Sequence, residues 1–208
     1  MSKQSLLVTS LIASLWFTAC AHASNPRDAW QGQAYRENAQ LQMGWADSFF
    51  FQNYDFKGDE LILDLGSGDG RITSKLAENV PKGRVIGVDK SPSMIEVSRY
   101  TYSDRKNLSF MVNDIQSLRL YEKLPHQFDL VVSFSTLHWV QDQMAALRGI
   151  EKVLKPNGKF YLKLCSKGGD PIQEIAEQVA STPTYKQAFA NFRDPISRFN
   201  PDEYRSLI

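Results

Sequence analysis

The sequence predicts an α/β fold in which helices cover both faces of one open, doubly wound and mainly parallel sheet. Two observations support this prediction. Short apolar runs alternate with segments of helical periodicity between residues 61 and 165, and this alternation is typical of βαβ units. The run at 128–134 is almost continuously apolar after Asp129, as expected for a central parallel strand that is covered on both faces.

Each element has its own signal in the sequence. We predict strands at 61–65, 84–88, 108–112, 128–134 and 159–165, the last of them after a turn at 156–158. We predict helices at 71–79, after Ser91-Pro92, at 143–154 and from Pro171, with Ser91 and Asp170 as N-caps. A helical pattern at 34–54 precedes the first strand. It places Leu41, Trp45 and Phe49 on one face, which we expect to pack in the core or in a lid.

Length and charge narrow the classes of function. The chain has 208 residues, which is the size of one domain, and its formal net charge is +1. This balance predicts no nucleic-acid partner and no attraction to an anionic membrane. No Cys/His spacing indicates a zinc site, and no metal is expected.

The first 23 residues predict a signal peptide or an N-terminal anchor. Lys3 precedes an apolar run at 5–17, and Ala21-His22-Ala23 resembles a cleavage site. Cleavage after Ala23 predicts an exported protein, periplasmic or secreted, whereas a retained segment predicts a cytoplasmic domain on an anchor. We expect residues 24–60 to form a helical lid or cap, and residues 61–208 to form the cofactor-binding domain.

The most informative segment follows the first predicted strand, where glycines stand at the alternate positions 66, 68 and 70. Glycine permits a sharp turn and lets a ligand lie against the backbone. The helix that follows directs its free N–H groups at that ligand. A dinucleotide fingerprint has its third glycine where this chain has Arg71, which disfavours a nicotinamide-dependent oxidoreductase.

Acidic residues end the next two predicted strands. Asp89 follows the second strand, where a carboxylate can accept hydrogen bonds from ribose hydroxyls. Asp114 follows the third strand and can accept from an adenine amino group. The alternative for both residues is a solvated position at the surface.

Together these segments resemble the class I methyltransferases that depend on S-adenosylmethionine (SAM) and have a Rossmann-like fold. The glycine turn resembles their first motif, 85–91 their acidic loop and 112–115 their adenine loop. The segments 128–137 and 154–158 resemble their fourth-strand motif and the turn before the fifth strand. The resemblance covers residues 34–165.

The resemblance implies SAM as the cofactor. Its methionine part is expected over the glycine turn, its ribose at Asp89 and its adenine at Asp114, while Asp64 either orders the turn or approaches the ligand's ammonium group. The implied cofactor-binding residues are Asp64, Gly66, Ser67, Gly68, Asp89, Lys90, Met94, Asp114, Ile115, Ser133 and Phe134. The last two are expected to line the site from the fourth strand.

The flanking segments are similar to a narrower group, the trans-aconitate and juvenile hormone acid methyltransferases, which methylate carboxylates. The similar residues are Tyr35, Asn38, Gln42 and Trp45, together with Leu137-His138-Trp139-Val140. This similarity implies that Gln42, His138 and Trp139 face a small-molecule acceptor. A carboxylate acceptor is ionised at neutral pH and needs no base. A hydroxyl acceptor needs one, and His138 is the candidate for base or orienting residue; its alternative is local packing.

Two other functions stay open at this point: a non-catalytic binding protein with the same fold, and the disfavoured oxidoreductase. The family places two further strands after a helix of the 201–208 type. The sequence shows neither strand, so we expect either a truncated domain or a sheet that ends early at an unpaired edge.

Overall fold

In the described part of the chain, five parallel strands form one sheet in the order β3-β2-β1-β4-β5. A computed structural model describes residues 43, 44, 46–117, 120–168, 171–192 and 194–208. β1 pairs with both β2 and β4, so the strand order reverses between β1 and β4. This topology confirms the predicted α/β, Rossmann-like fold. The strands are β1 (Leu61–Leu65), β2 (Arg84–Asp89), β3 (Leu108–Val112), β4 (Phe128–Phe134) and β5 (Leu154–Lys163).

Helices connect the strands and follow the last one. The Ser91 hydroxyl caps the second helix by accepting the N–H of Met94 at 3.2 Å. Asn200 and Glu203 form a reciprocal capping box on the last helix. Their side chains accept backbone N–H groups of its first turn and so stabilise a helix of only five residues. Short 3₁₀ turns at Ile115–Ser117 and Leu137–Trp139 follow β3 and β4. The helices are α1 (Arg71–Asn79), α2 (Pro92–Thr101), α3 (Leu120–Lys123), α4 (Gln143–Val153), α5 (Pro171–Ser181) and α6 (Pro201–Arg205).

Two apolar clusters cover the two faces of the sheet. Successive residues of a strand point to opposite faces, and β1 shows this directly. Leu63 and Leu65 pack in one cluster with Ile150 of α4, whereas Ile62 packs in the other with Leu76 of α1. A central strand that is buried on both faces therefore leaves only its ends for a ligand.

β5 differs from its prediction at both ends, because it begins at Leu154 and stops at Lys163. Leu154 pairs with Phe128, and Lys159 pairs with Leu130. Five sequence positions on β5 therefore oppose two on β4, so the strand is irregular at the predicted turn, 156–158, where Asn157 has a φ of 65°. The backbone leaves the sheet after Lys163, so Cys165 lies beyond the strand.

The aromatic stripe before β1 also differs from its prediction. Phe49 is 61% exposed, whereas Phe50 is 1% exposed. The turn Asp47–Phe51 is π-helical, and Phe50 packs against Tyr54, Phe56 and Phe134. Phe49 therefore does not pack in the core, because its neighbour Phe50 takes the buried position, and the alternative place in a lid stays a prediction.

Several predictions fall on residues outside the described ranges. They are the signal peptide or anchor at 1–23, and the positions Tyr35, Asn38, Leu41, Gln42, Trp45 and Asp170. Within the described ranges, no helix combines the length and the apolar character that crossing a bilayer requires.

Candidate active site

The glycine loop, residues 66–70, follows β1 and packs against the end of β2. The N–H groups of Gly66 and Ser67 both donate to the carbonyl of Val88, at 2.8 and 2.9 Å. The three glycines of the loop have φ angles of 78°, 52° and 81°, which other residues rarely adopt. A Cβ at Gly66 would also collide with the side chain of Thr136. Glycine is thus required at Gly66 for both its backbone angle and its space.

Asp89 ties this loop to the end of β2. Its Oδ2 accepts the N–H of Gly68 at 3.0 Å, and its Oδ1 accepts the N–H of Ser91 at 2.9 Å. Backbone bonds to both oxygens orient the carboxylate. The same residue therefore shapes the loop and presents a negative charge beside it.

A cavity opens at the carboxyl ends of β1, β2, β3 and β4, and the strand order reverses between β1 and β4 at this edge of the sheet. Crevices at this point of an open α/β sheet are the usual ligand sites. Eight of the predicted site residues line it: Gly66, Gly68, Asp89, Lys90, Met94, Asp114, Ile115 and Trp139. The wall also contains four residues that sequence reasoning missed: Gln116, Ser135, Thr136 and Val140. Gln116, Ser135 and Val140 each adjoin a predicted site residue in the sequence, and Thr136 lies two positions after β4. This proximity is the signal in the sequence that could have identified them.

Ser133 and Phe134 do not line the cavity, although the family resemblance implied that they would. The buried Ser133 hydroxyl donates to the carbonyl of Leu65 at 2.8 Å. Phe134 belongs to the apolar cluster on one face of the sheet. Both residues lie within β4, so their side chains point to the faces of the sheet and not toward the cavity at its edge. The chain turns toward the cavity only afterwards, and Ser135 and Thr136 take their place.

Neither Asp64, in β1, nor Ser67, within the glycine loop, lines the cavity. Asp64 is 1% exposed, and its Oδ2 accepts the hydroxyl of Thr73 at 2.7 Å. Burial raises the pKa of Asp64 to about 7, the Thr73 bond opposes this shift, and the charge of Asp89 adds to it. The buried Ser67 hydroxyl has no hydrogen-bond partner among the described residues.

His138 lies behind the cavity wall. It is 4% exposed, its Nδ1 accepts the N–H of Cys165 at 3.4 Å, and its Nε2 lies 3.8 Å from the Sγ of Cys165. Burial lowers the pKa of His138 to about 4, and the charges of Lys163 and Arg198 lower it too. The ring is therefore neutral at physiological pH and directs both nitrogens at Cys165. This position suits a packing residue better than the predicted base, while its neighbour Trp139 lines the cavity.

The family of the chain follows from its sequence as well as from this geometry. A family model described as a methyltransferase domain matches residues 56–203. The chain belongs to this methyltransferase family. The predicted family is thereby confirmed, and its members use SAM.

Individual relatives of the chain include two acid methyltransferases. The chain is 33% identical over 144 residues to juvenile hormone acid O-methyltransferase of Drosophila melanogaster, a match that covers 67% of this chain and 48% of the relative. It is 31% identical over 136 residues to trans-aconitate 2-methyltransferase of an Enterobacter species, covering 65% of this chain and 50% of the relative. The chain thus spans about half the length of both.

A solved structure shares the fold. Phosphoethanolamine N-methyltransferase 2 of Haemonchus contortus, in complex with SAM, superposes with a TM-score of 0.60 at 21% identity. The match covers 80% of this chain and 35% of that one. This likeness supports the arrangement of strands and helices.

SAM fits the residues that the chain places around its cavity. The glycine loop offers backbone without side chains, and the unpartnered hydroxyl of Ser67 lies within it. Carboxylates at Asp89 and Asp114 face the cavity from neighbouring strand ends, beside the apolar Met94 and Ile115. Within the described residues, no group of three or more His, Cys, Asp or Glu side chains could hold a metal ion.

Proposed function

We propose that this chain transfers a methyl group from SAM to a carboxylate oxygen of a small organic acid. The observation that carries the proposal is the position of His138. Its ring contacts Cys165 behind the cavity wall, and burial lowers its pKa to about 4. A site in which the candidate base is turned away suits an acceptor that is already ionised.

The cofactor side of the cavity has a residue for each part of SAM. Bound SAM would lie with its methionine part over the glycine loop, its ribose hydroxyls would donate to the Asp89 carboxylate, and Asp114 and Ile115 would flank its adenine. SAM supplies an electrophilic methyl group, and as the acceptor oxygen gains it the carbon–sulfur bond breaks with its electron pair left on sulfur. No proton has to leave a carboxylate acceptor in this exchange, so the chain's contribution is to hold the acceptor in line and exclude water.

The acceptor side is the wall after β4, formed by Ser135, Trp139 and Val140. A carboxylic acid has a pKa of about 4 and is ionised at neutral pH, whereas an alcohol must lose a proton to a base. The relatives named for juvenile hormone acid and trans-aconitate support an acid acceptor, because both names specify acids.

Matched acceptors test this function. The full chain is incubated with SAM and with an aliphatic acid, alcohol or amine of equal carbon number, and release of S-adenosylhomocysteine is measured. We expect turnover of the acid, with kcat/KM nearly constant between about pH 6 and pH 8 because the carboxylate stays ionised. A His138→Asn variant is expected to keep this flat pH profile. Preferential methylation of the alcohol, at a rate that rises with pH, contradicts the proposal.

Calorimetric titration with SAM, run alongside, separates the alternatives. Binding of SAM without methylation of any acceptor favours the non-catalytic binding protein. Failure of the folded chain to bind SAM, together with binding of NADH detected by fluorescence, favours the oxidoreductase.

A further inference from the structure

Ser135, the first residue after β4, lines the cavity in an uncommon backbone conformation. Its φ angle is 55°, in the left-handed region that residues other than glycine rarely adopt. Such a conformation persists only where the surrounding structure holds it, and it is frequent at ligand sites. His126 and Asn157 also have positive φ angles, but of these three described residues Ser135 is the one in the cavity wall.

Lys163, the last residue of β5, holds Ser135 by two hydrogen bonds. Its carbonyl accepts the N–H of Ser135 at 2.9 Å, and its ammonium group donates to the Ser135 hydroxyl at 3.3 Å. The first bond fixes the backbone, and the second occupies a lone pair of the hydroxyl oxygen. A serine hydroxyl also has one hydrogen to donate. No described residue accepts that hydrogen from Ser135, so it is available to a ligand in the cavity.

The next residue, Thr136, shows the contrast. Its hydroxyl is already used, because it donates to the carbonyls of Gly66 and Phe134 at 3.3 and 3.2 Å. Thr136 therefore contacts the glycine loop after β1, whereas Ser135 contacts β5. Because β1 and β5 lie on opposite sides of β4, the contacts of the two hydroxyls lie toward opposite sides of the turn. The free donor of Ser135 thus belongs to the part of the wall away from the glycine loop.

The bond from Lys163 also makes the Ser135 hydroxyl a stronger donor, because successive hydrogen bonds in a chain polarise one another. A polarised donor suits an oxygen that carries negative charge. A bond to the reacting oxygen of a carboxylate would weaken that oxygen as a nucleophile. A bond to the other oxygen leaves the reacting one free and fixes its direction toward the methyl group.

We infer that Ser135 binds the acceptor by donating its hydroxyl hydrogen to the carboxylate oxygen that does not react, with Lys163 as the positioning residue behind it. The inference rests on the proposed methylation of a small acid. It assigns a hydrogen bond with the acceptor to a side chain of the wall after β4.

Two substitutions of Ser135 test the role of its hydroxyl. Ser135→Ala and Ser135→Gly both remove it, and glycine adopts a φ of 55° without strain, so a loss common to both is not a backbone effect. We expect each to lower kcat/KM for the aliphatic acid by about 10- to 100-fold, as for other hydrogen bonds to charged groups, with an unchanged Kd for SAM. Ser103→Ala removes an exposed hydroxyl that donates to the carbonyl of Tyr100, and it is expected to keep the wild-type kcat/KM. A Kd for SAM that rises as much as kcat/KM falls assigns the hydroxyl to the cofactor and overturns the inference.

A double-mutant cycle tests the positioning role of Lys163. Lys163→Met alone is expected to lower kcat/KM for the acid by about 10-fold. In the Ser135→Ala background the same substitution is expected to have little further effect, because the hydroxyl through which Lys163 acts is gone. Lys155→Met, which loses an ion pair with Asp129, is the control and is expected to keep the wild-type rate. Additive losses in the cycle overturn the positioning role.

Direct binding separates this inference from the proposed function. The same aliphatic acid is titrated into the full chain saturated with S-adenosylhomocysteine. Binding that Ser135→Ala and Ser135→Gly both weaken supports the inference even where the acid is not methylated and the proposed function fails. Methylation of the acid with unchanged kcat/KM in both variants leaves the proposed function standing and overturns the inference.

Discussion

The Oδ2 atom of Asp89 accepts the backbone N–H of Gly68 at a distance of 3.0 Å. The carboxylate that we propose binds the ribose therefore also positions the glycine loop. Loss of its charge is expected to affect cofactor binding twice, through the ligand contact and through the loop.

We accordingly expect Asp89→Asn to weaken SAM binding by about 2 kcal/mol, or roughly 30-fold in Kd. The amide keeps one acceptor oxygen but loses the charge and the second acceptor. Calorimetric titration measures the change, and Asp104→Asn, at an exposed turn, serves as the control. An unchanged Kd in Asp89→Asn means that the ribose is bound elsewhere.

Gly66→Ala is expected to destabilise the fold by about 2–5 kcal/mol, because it combines a positive φ with a steric collision against Thr136. Gly168→Ala is the matched control: Gly168 has a φ of 75°, but a Cβ added there would meet no heavy atom of the described residues. Its cost is expected to be the backbone term alone, about 1–2 kcal/mol. Urea unfolding compares the two, and equal losses argue against the collision.

Two buried groups are expected to give opposite dependences of stability on pH. Asp64 has a folded pKa of about 7, above its ordinary 3.8, so the folded state binds the proton more tightly. Its contribution is full below about pH 4 and is lost as pH rises through 7. His138 has a folded pKa of about 4, below its ordinary 6.5. Its contribution is present above pH 6.5 and is lost as pH falls toward 4.

The two effects oppose each other between about pH 4 and pH 6.5, where each changes the free energy of unfolding by at most about 1.4 kcal/mol per pH unit. Replacing one of the two residues leaves the pH dependence that the other produces. Relative to the wild-type chain, Asp64→Asn is expected to shift the slope so that stability rises more with pH, and His138→Asn to shift it so that stability falls more. Urea unfolding at pH 4.5 and 6.5 measures both slopes, and shifts in the same direction contradict the assignment.

The N-terminal prediction has a direct chemical test. We expect the protein recovered from its natural host to begin at Ser24, because Ala21-His22-Ala23 resembles a cleavage site. N-terminal sequencing of that protein gives the answer. A chain that keeps residues 1–23 and sediments with membranes supports the anchor instead.

The glycine loop and the acids at the strand ends were predictable because their signals are local. In a parallel sheet each strand ends at the same edge, so Gly66, Asp89 and Asp114 had to come together once the strands were placed. The bounds of β1 and α1 followed from the same local patterns. The family resemblance supplied Met94, Ile115 and Trp139.

Contacts between distant parts of the chain were not predictable in this way. His138 contacts Cys165, which is 27 positions away in the sequence, and no periodicity of the sequence predicts this contact. Ser135 adopts a φ of 55°, and nothing in the sequence Ser-Phe-Ser-Thr indicates this conformation. At this turn Ser135, and not Ser133, lines the cavity. The start of β5 at Leu154, before the predicted turn, depends on its pairing with Phe128 of β4 and could not be predicted before the strands are paired.

The contact between Gly66 and Thr136 has a consequence for engineering the range of acceptors that the proposed methylation would accept. Because the two residues touch, a larger side chain at Thr136 would displace the glycine loop and impair cofactor binding along with acceptor choice. Trp139 and Val140 line the cavity without bearing on that loop contact. Libraries that seek new acceptors therefore have room to vary at these two positions, while Thr136 is best left unchanged.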